Sequence, residues 1–160
     1  MTKIHYYQIA LRWDGNLGQG TQHYRAYSRD YIVAAINKPT LLGSSDTSFR
    51  GDAQRWNPEE MLLSALSACH QLWYLHFCSV NHINVLQYED QASAEMLEHA
   101  SGAGEFRVVR LKPNVLIDQH SDPQLAYQLH EKAHEFCFIA RSVNFNVTLQ
   151  PHIRQHTDID

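Results

Sequence analysis

NPEEMLLSALSACH, residues 57–70, opens a helix and ends beside a cysteine. Asn57 is a favoured N-cap, and Pro58 suits the first helical position. Glu60 stands three residues after the cap, where each can satisfy the other's backbone N–H. Glu59 and Glu60 also suit the positive end of the helix dipole. The run then stays apolar on most faces to about Val80, which predicts a central, packed helix. Ser64, Ser67, His70, Gln71, His76 and Ser79 interrupt residues 61–80, so a buried helix fits better than a membrane span.

Upstream, YYQIALRW (6–13) and HYRAYSRDYIVAA (23–35) are rich in aromatic and β-branched residues, as strands are. The Gly-containing DGNLGQG between them reads as a hairpin connection. GSSDTSFRGDAQRW (43–56) reads as a loop, of a length that is often functional. Downstream, strands are expected near INVLQYED (83–90), SAEMLE (93–98) and EFRVVRLKPNVLI (105–117). Asp122 and Pro123 begin a second helix, which the spacing of Leu125, Leu129, Ala133 and Cys137 carries to about Ser142. NFNVTLQ (144–150) alternates like a half-buried strand. This order predicts an α+β fold with two long helices, the central one buried, and a mostly antiparallel sheet. At 160 residues, a single domain over 1–160 is expected.

Hydrophobic residues make up 44% and charged residues 19% of the chain, an ordinary globular composition. Net charge is −4 and the 13 basic residues form no run, which argues against a nucleic-acid groove or an anionic membrane surface. Eleven histidines make the surface sensitive to pH between about 5 and 8. Three scattered cysteines do not make a disulfide framework. The first residues, MTKIHYYQIALRWDG, lack signal-peptide character, so a reducing cytoplasm is the expected compartment. There, cysteines tend to be catalytic, metal-bound or buried.

On composition alone, Cys69, Cys78 and Cys137 each read as small buried hydrophobes. Burial raises a thiol pKa, so a reactive role requires a cation nearby, and neither helix supplies one beside its cysteine, although Arg141 lies one turn beyond Cys137. Cys69, His70, His76 and Cys78 do not make a compact metal site. Nine helical residues put the two cysteines on opposite faces, roughly 13 Å apart along the axis. No C-x-x-C or H-E-x-x-H spacing occurs, and no metal or other cofactor is expected.

NPEEMLLSALSACH, followed 68 residues after its cysteine by AHEFCFIARSVNFNVTL, resembles the osmotically inducible protein C and organic hydroperoxide resistance family (OsmC/Ohr). In that family N-P-E-E/Q opens the central helix, a peroxide-reactive cysteine follows twelve residues after the Asn, and a second cysteine comes late in the other long helix. Asn57, Cys69 and Cys137 hold those places. The resemblance implies an OsmC-like fold and a thiol-dependent peroxidase of oxidative-stress defence, acting on organic hydroperoxides and also hydrogen peroxide. Cys69 would be the attacking thiolate, Cys137 the resolving thiol and Glu59 the motif glutamate. The thiolate-steadying arginine would be Arg50, with Arg55 as second choice. One branch of the family takes it from an earlier strand, which leaves Arg12 and Arg25 open. An external thiol donor must return the electrons; a dihydrolipoyl carrier serves in part of the family.

A guanidinium beside a buried thiol lowers its pKa, and a carboxylate can fix the guanidinium fork. Glu59 and Cys69 stand ten residues apart, roughly 15 Å along one straight helix, so Glu59 cannot reach its own chain's sulfur. A two-fold homodimer with antiparallel central helices is therefore expected, which agrees with the intertwined dimers of the family. Phe138 replaces the proline that commonly follows the second cysteine, so the second helix is expected to continue past Cys137. His70, at i+1 from Cys69, points about 100° away and reads as packing or hydrogen bonding. Cys78 reads as core filler. Trp56, Trp73, Tyr74, Phe77, Phe136 and Phe138 are candidates to wall an apolar pocket, or simply core. The rival from another class is a non-catalytic small-molecule binding or stress protein on the same fold, with Cys69 inert.

Overall fold

The computed structural model describes residues 2–157. Its contacts divide it into two compact units, Met1–Met61 and Leu62–Asp160.

The first unit holds an antiparallel sheet of β1 (Ala10–Trp13), β2 (Tyr31–Ala34) and β3 (Leu41–Gly43), in that order. The strands use only the distal parts of 6–13 and 23–35. In place of a tight hairpin, residues 14–30 form a folded connection. The Arg29 guanidinium donates to the carbonyls of Tyr24 and Tyr27 and lies 4.2 and 4.3 Å from their ring centres. β3 is an added strand, and Gly43 is needed there: a Cβ would fall 2.2 Å from the Tyr31 ring. The expected 43–56 loop is ordered around buried Ser44, whose hydroxyl donates to Asp30 and accepts from the Asp52 N–H.

Helix α1 (Pro58–Val80) leads from the first unit into the second. Its start follows the cap chemistry. The Glu60 N–H donates to Asn57 Oδ1 at 2.7 Å, and the Asn57 N–H donates to Glu60 Oε2 at 3.3 Å.

The second unit adds β4 (Val85–Asp90), β5 (Ser93–Glu98), β6 (Gly104–Leu111), β7 (Pro113–Ile117), α2 (Pro123–Phe136), β8 (Asn146–Leu149) and β9 (His152–Gln155). They form two three-stranded sheets, β4-β7-β9 and β5-β6-β8. Residues 105–117, expected as one strand, switch sheets at Lys112. Pro113 has no N–H for a ladder, and the Lys112 N–H turns to Asp90 Oδ1 at 2.7 Å. Gln150-Pro151 makes the same switch from β8 to β9, with the Gln150 N–H on the Leu111 carbonyl.

The pairing is antiparallel for β4–β7 and β5–β6 but parallel for β6–β8 and β7–β9. Both of these sheets are thus mixed, while most strand pairings among the described residues are antiparallel, as expected. Parallel pairs need a long crossover, and α2 provides it.

The two cores of this unit share α1. Leu66 packs with Val109, Leu111 and Val147, while Tyr74, Phe77 and Cys78 pack with Val115, Ile117, Ala126, Leu129 and Ala133. Full burial on α1 is confined to the stripe Leu66, His70, Tyr74, Phe77 and Cys78, narrower than its apolar sequence suggests. Leu72 remains 67% exposed.

Candidate active site

Cys69 stands mid-way along α1 and is half-buried, whereas Cys137 is 1% exposed. Cys69 is a near neighbour of Cys137 and acts on its thiol, which is pushed above the usual thiol range by burial first, with Cys69 adding to that rise. The Ala140 N–H points at the Cys137 sulfur at 3.4 Å and partly opposes that shift. Two neighbouring thiols of unequal access are the pairing that capture of a sulfenic acid on one by the other requires.

α2 does not continue past Cys137, contrary to expectation. It ends at Phe136, and Cys137 is the C-cap with extended ψ of 108°. A separate 3-10 turn, Ala140–Ser142, follows. The sulfur accepts a backbone N–H from that turn, and the helix ends without a glycine or proline.

Aromatic residues stand close to both cysteines in sequence. Trp73, one turn after Cys69, meets Phe136 at 5.3 Å and Phe138 edge-on at 5.5 Å, and stacks on Phe77 at 5.6 Å. Phe136 and Phe138 flank Cys137 in sequence and are 40% and 64% exposed. Tyr74 and Phe77 are core, and Trp56 is exposed in the first unit. Cys78 is also core, and burial pushes its thiol up to about 11.

His70 is fully buried and its Nε2 lies 3.0 Å from His130 Nδ1. Tyr74 stacks on the other side of that contact, its ring centre 3.8 Å from His130. Burial holds both imidazoles well below the ordinary histidine range, with His134 adding to the effect on His70 and His70 to that on His130. His70 is therefore a hydrogen-bonding core residue, as its position around α1 suggests. His130 is a residue that sequence reasoning missed, and its one signal is the i,i+4 pair with His134. The outward nitrogens, His70 Nδ1 and His130 Nε2, are buried without a partner among the described residues. An unsatisfied buried polar atom costs about 1–3 kcal/mol, so this pair is not cheap filler.

The arginine candidates and Glu59 lie in the first unit. Arg55 sits between Asp30 and Asp52, each 3.7 Å from its Nε. Arg50 is exposed in a left-handed conformation, φ 66°, and its guanidinium lies 5.8 Å from the Tyr24 ring centre. Among the described residues Arg50 has no carboxylate partner. Arg12 pairs with Asp14 on the surface, and Arg25 is exposed. Glu59 is half-buried in the first turn of α1, with Oε2 buried and without a partner among the described residues. Its charge, after burial, raises the Tyr31 phenol. No group of three or more His, Cys, Asp or Glu among the described residues is arranged to hold a metal. No helix of the described residues is long and apolar enough to cross a membrane.

A family model described as OsmC-like protein matches residues 51–152, which include α1, α2 and both cysteines. YmaD, an uncharacterized protein of Bacillus subtilis, is 24% identical over 152 residues, covering 91% of each chain. A solved OsmC-like protein of unknown function from Vibrio cholerae is 25% identical with TM-score 0.84, covering 93% of this chain and all of that one. OhrB of Bacillus subtilis, an organic hydroperoxide resistance protein, shares the fold with TM-score 0.62 at 17% identity, over 92% of this chain and 96% of its own.

Proposed function

This chain belongs to the OsmC-like family, among whose structural relatives are organic hydroperoxide resistance proteins, and from that premise we propose that it reduces organic hydroperoxides through Cys69 and Cys137. The observation that carries this reading is the pairing of a half-buried Cys69 thiol with a buried neighbouring Cys137 thiol. The accessible sulfur is the one a substrate meets, and the buried, protonated one waits beside it. Cys69 thiolate attacks the outer peroxide oxygen, the O–O bond breaks, an alcohol leaves and Cys69 becomes a sulfenic acid. Cys137 then condenses with it, forming the disulfide and releasing water. An external dithiol supplies the two electrons that restore the pair.

The exposed rings of Phe136 and Phe138, packed on Trp73 next to both cysteines, favour an alkyl or aryl peroxide over hydrogen peroxide. Arg50 is the counter-charge for the thiolate, since Arg55 is already held by two aspartates. Glu59 from a second copy of the chain steadies that guanidinium. Support for a pair of chains comes from the unpartnered Glu59 oxygen and from apolar residues left open in the single chain, including Tyr6 at 88%, Tyr7 at 91% and Leu11 at 61% exposure.

The test is mass spectrometry of the reduced protein after one equivalent of cumene hydroperoxide. A Cys69–Cys137 crosslink is the expected product. An unmodified Cys69 would instead favour a binding protein with inert thiols.

A further inference from the structure

Cys69 and His70 are consecutive on α1, yet their partners stand seven residues apart: Cys69 neighbours Cys137, and His70 is hydrogen-bonded to His130. Seven helical residues are about two turns, or roughly 10 Å along α2. Adjacent side chains of one helix thus hold two well-separated points of the other. A single contact would let α2 rotate or slide. Two contacts fix both motions.

Of the two, the histidine contact is the one that persists through the reaction, because the sulfur contact changes chemistry at each step. It is fully enclosed, with His70 at 0% and His130 at 1% exposure, and Tyr74 is stacked against its far ring. Its energetics point the same way. Two apolar side chains would fill this part of the helix interface without leaving outward nitrogens unpartnered, as His70 Nδ1 and His130 Nε2 are left. A directional N–H···N bond supplies what apolar packing cannot, one allowed register between the helices.

Resting on the peroxidase reading above, we propose that the His70–His130 hydrogen bond is a positioning contact for the cysteine pair: it holds α2 in the register from which Cys137 reaches a Cys69 sulfenic acid. It therefore governs disulfide closure and leaves the attack on peroxide alone. His130 touches neither sulfur nor substrate; it acts through α2. In the step it controls, Cys69–SOH and Cys137–SH become the disulfide and one water. No further oxidant is needed.

The experiment treats full-length wild type, His130→Phe and His130→Asn with one equivalent of cumene hydroperoxide in the presence of dimedone, which traps sulfenic acid. Phe keeps the stack on Tyr74 but cannot bond. Asn places an amide where Nδ1 stood. Mass spectrometry then reads the partition of Cys69 between disulfide and dimedone adduct, and stopped-flow reads first-turnover peroxide loss. Wild type should give mainly disulfide. His130→Phe should close about tenfold more slowly, the effect of about 1.4 kcal/mol, and shift product to the adduct with unchanged peroxide loss. His130→Asn should restore the wild-type partition. A merely structural role would lower the melting temperature without moving that partition.

Disulfide closure in His130→Phe at the wild-type rate overturns the proposal, and so does failure of His130→Asn to rescue. If His130→Phe does not fold, His70→Leu and His70→Gln, the latter preserving a group at the Nε2 position, decide by the same readout. Wild type giving neither product would instead sink the peroxidase reading itself.

Discussion

Cys137 neighbours Cys69 but is buried to 1% exposure where Cys69 is half-open. On the proposed peroxidase reading, that inequality assigns the two sulfurs their roles. Cys69→Ser should abolish peroxide consumption, a loss of at least about a thousandfold, since no other thiol replaces it. Cys137→Ser should keep the first turnover within about twofold and accumulate a dimedone-reactive Cys69. Stopped-flow and mass spectrometry on both variants check this. Peroxide loss that survives in Cys69→Ser would reassign the nucleophile.

The two loop arginines should separate cleanly. Arg50→Ala should slow the first step by about a hundredfold at unchanged melting temperature, the scale of losing a preorganised charge. Arg55→Ala should instead cost stability, about 1 kcal/mol by chemical denaturation, because it strands Asp30 and Asp52. Reversed results would make Arg55 the thiolate's partner.

Trp73 offers a test of substrate class. Trp73→Ala should raise KM for cumene hydroperoxide about tenfold while leaving the rate with hydrogen peroxide nearly unchanged, since only the former has a ring to bury. Steady-state kinetics with both peroxides give the answer, and equal effects on the two would deny the aromatic wall a role in binding.

The histidine pair predicts how stability depends on pH. Burial depresses the folded-state pKa of both His70 and His130. In the unfolded chain they take up protons below about 6.5, so as pH falls the unfolded state binds more protons than the folded one. Their contribution is complete above that value and is lost as pH falls from it towards the depressed folded values. The slope is at most about 1.4 kcal/mol per pH unit for each histidine. Thermal melts from pH 7 to 5 should show a falling midpoint, flattened in a His70→Gln/His130→Asn double variant. A flat wild-type profile would contradict the buried neutral pair.

A mixing experiment tests the shared site. Cys69→Ser and Glu59→Gln chains, each inactive as a homodimer, should regain about a quarter of wild-type activity after joint refolding, since half the pairs are mixed and each has one intact site. Absence of any rescue, with mixed pairs shown to form, would place Glu59 outside the chemistry.

Much of α1 was legible because cap chemistry is local. Asn57, Pro58 and Glu60 announce the start, and the described bonds are the ones those side chains can make. The cysteine pair was legible through motif spacing. The end of α2 was not, because the apolar spacing runs on through Cys137, while its backbone turns extended and its sulfur takes the Ala140 N–H. The break between β6 and β7 had a sign in Pro113, but its meaning depends on Asp90, which takes the Lys112 N–H across 22 residues. The parallel pairings and the His70–His130 contact join distant segments, and no local preference encodes them.

Those parallel pairings also order events during folding. β8 and β9 hydrogen-bond to β6 and β7 nearly forty residues earlier, across α2. Loop closure over such distances is slow, so both sheets of the second unit finish late. A chain halted after α2 would present two bare strand edges, which are templates for association with other chains. Cys137 would then already be in place while the sheets around it were not, which makes nascent and truncated chains the form most open to wrong disulfides.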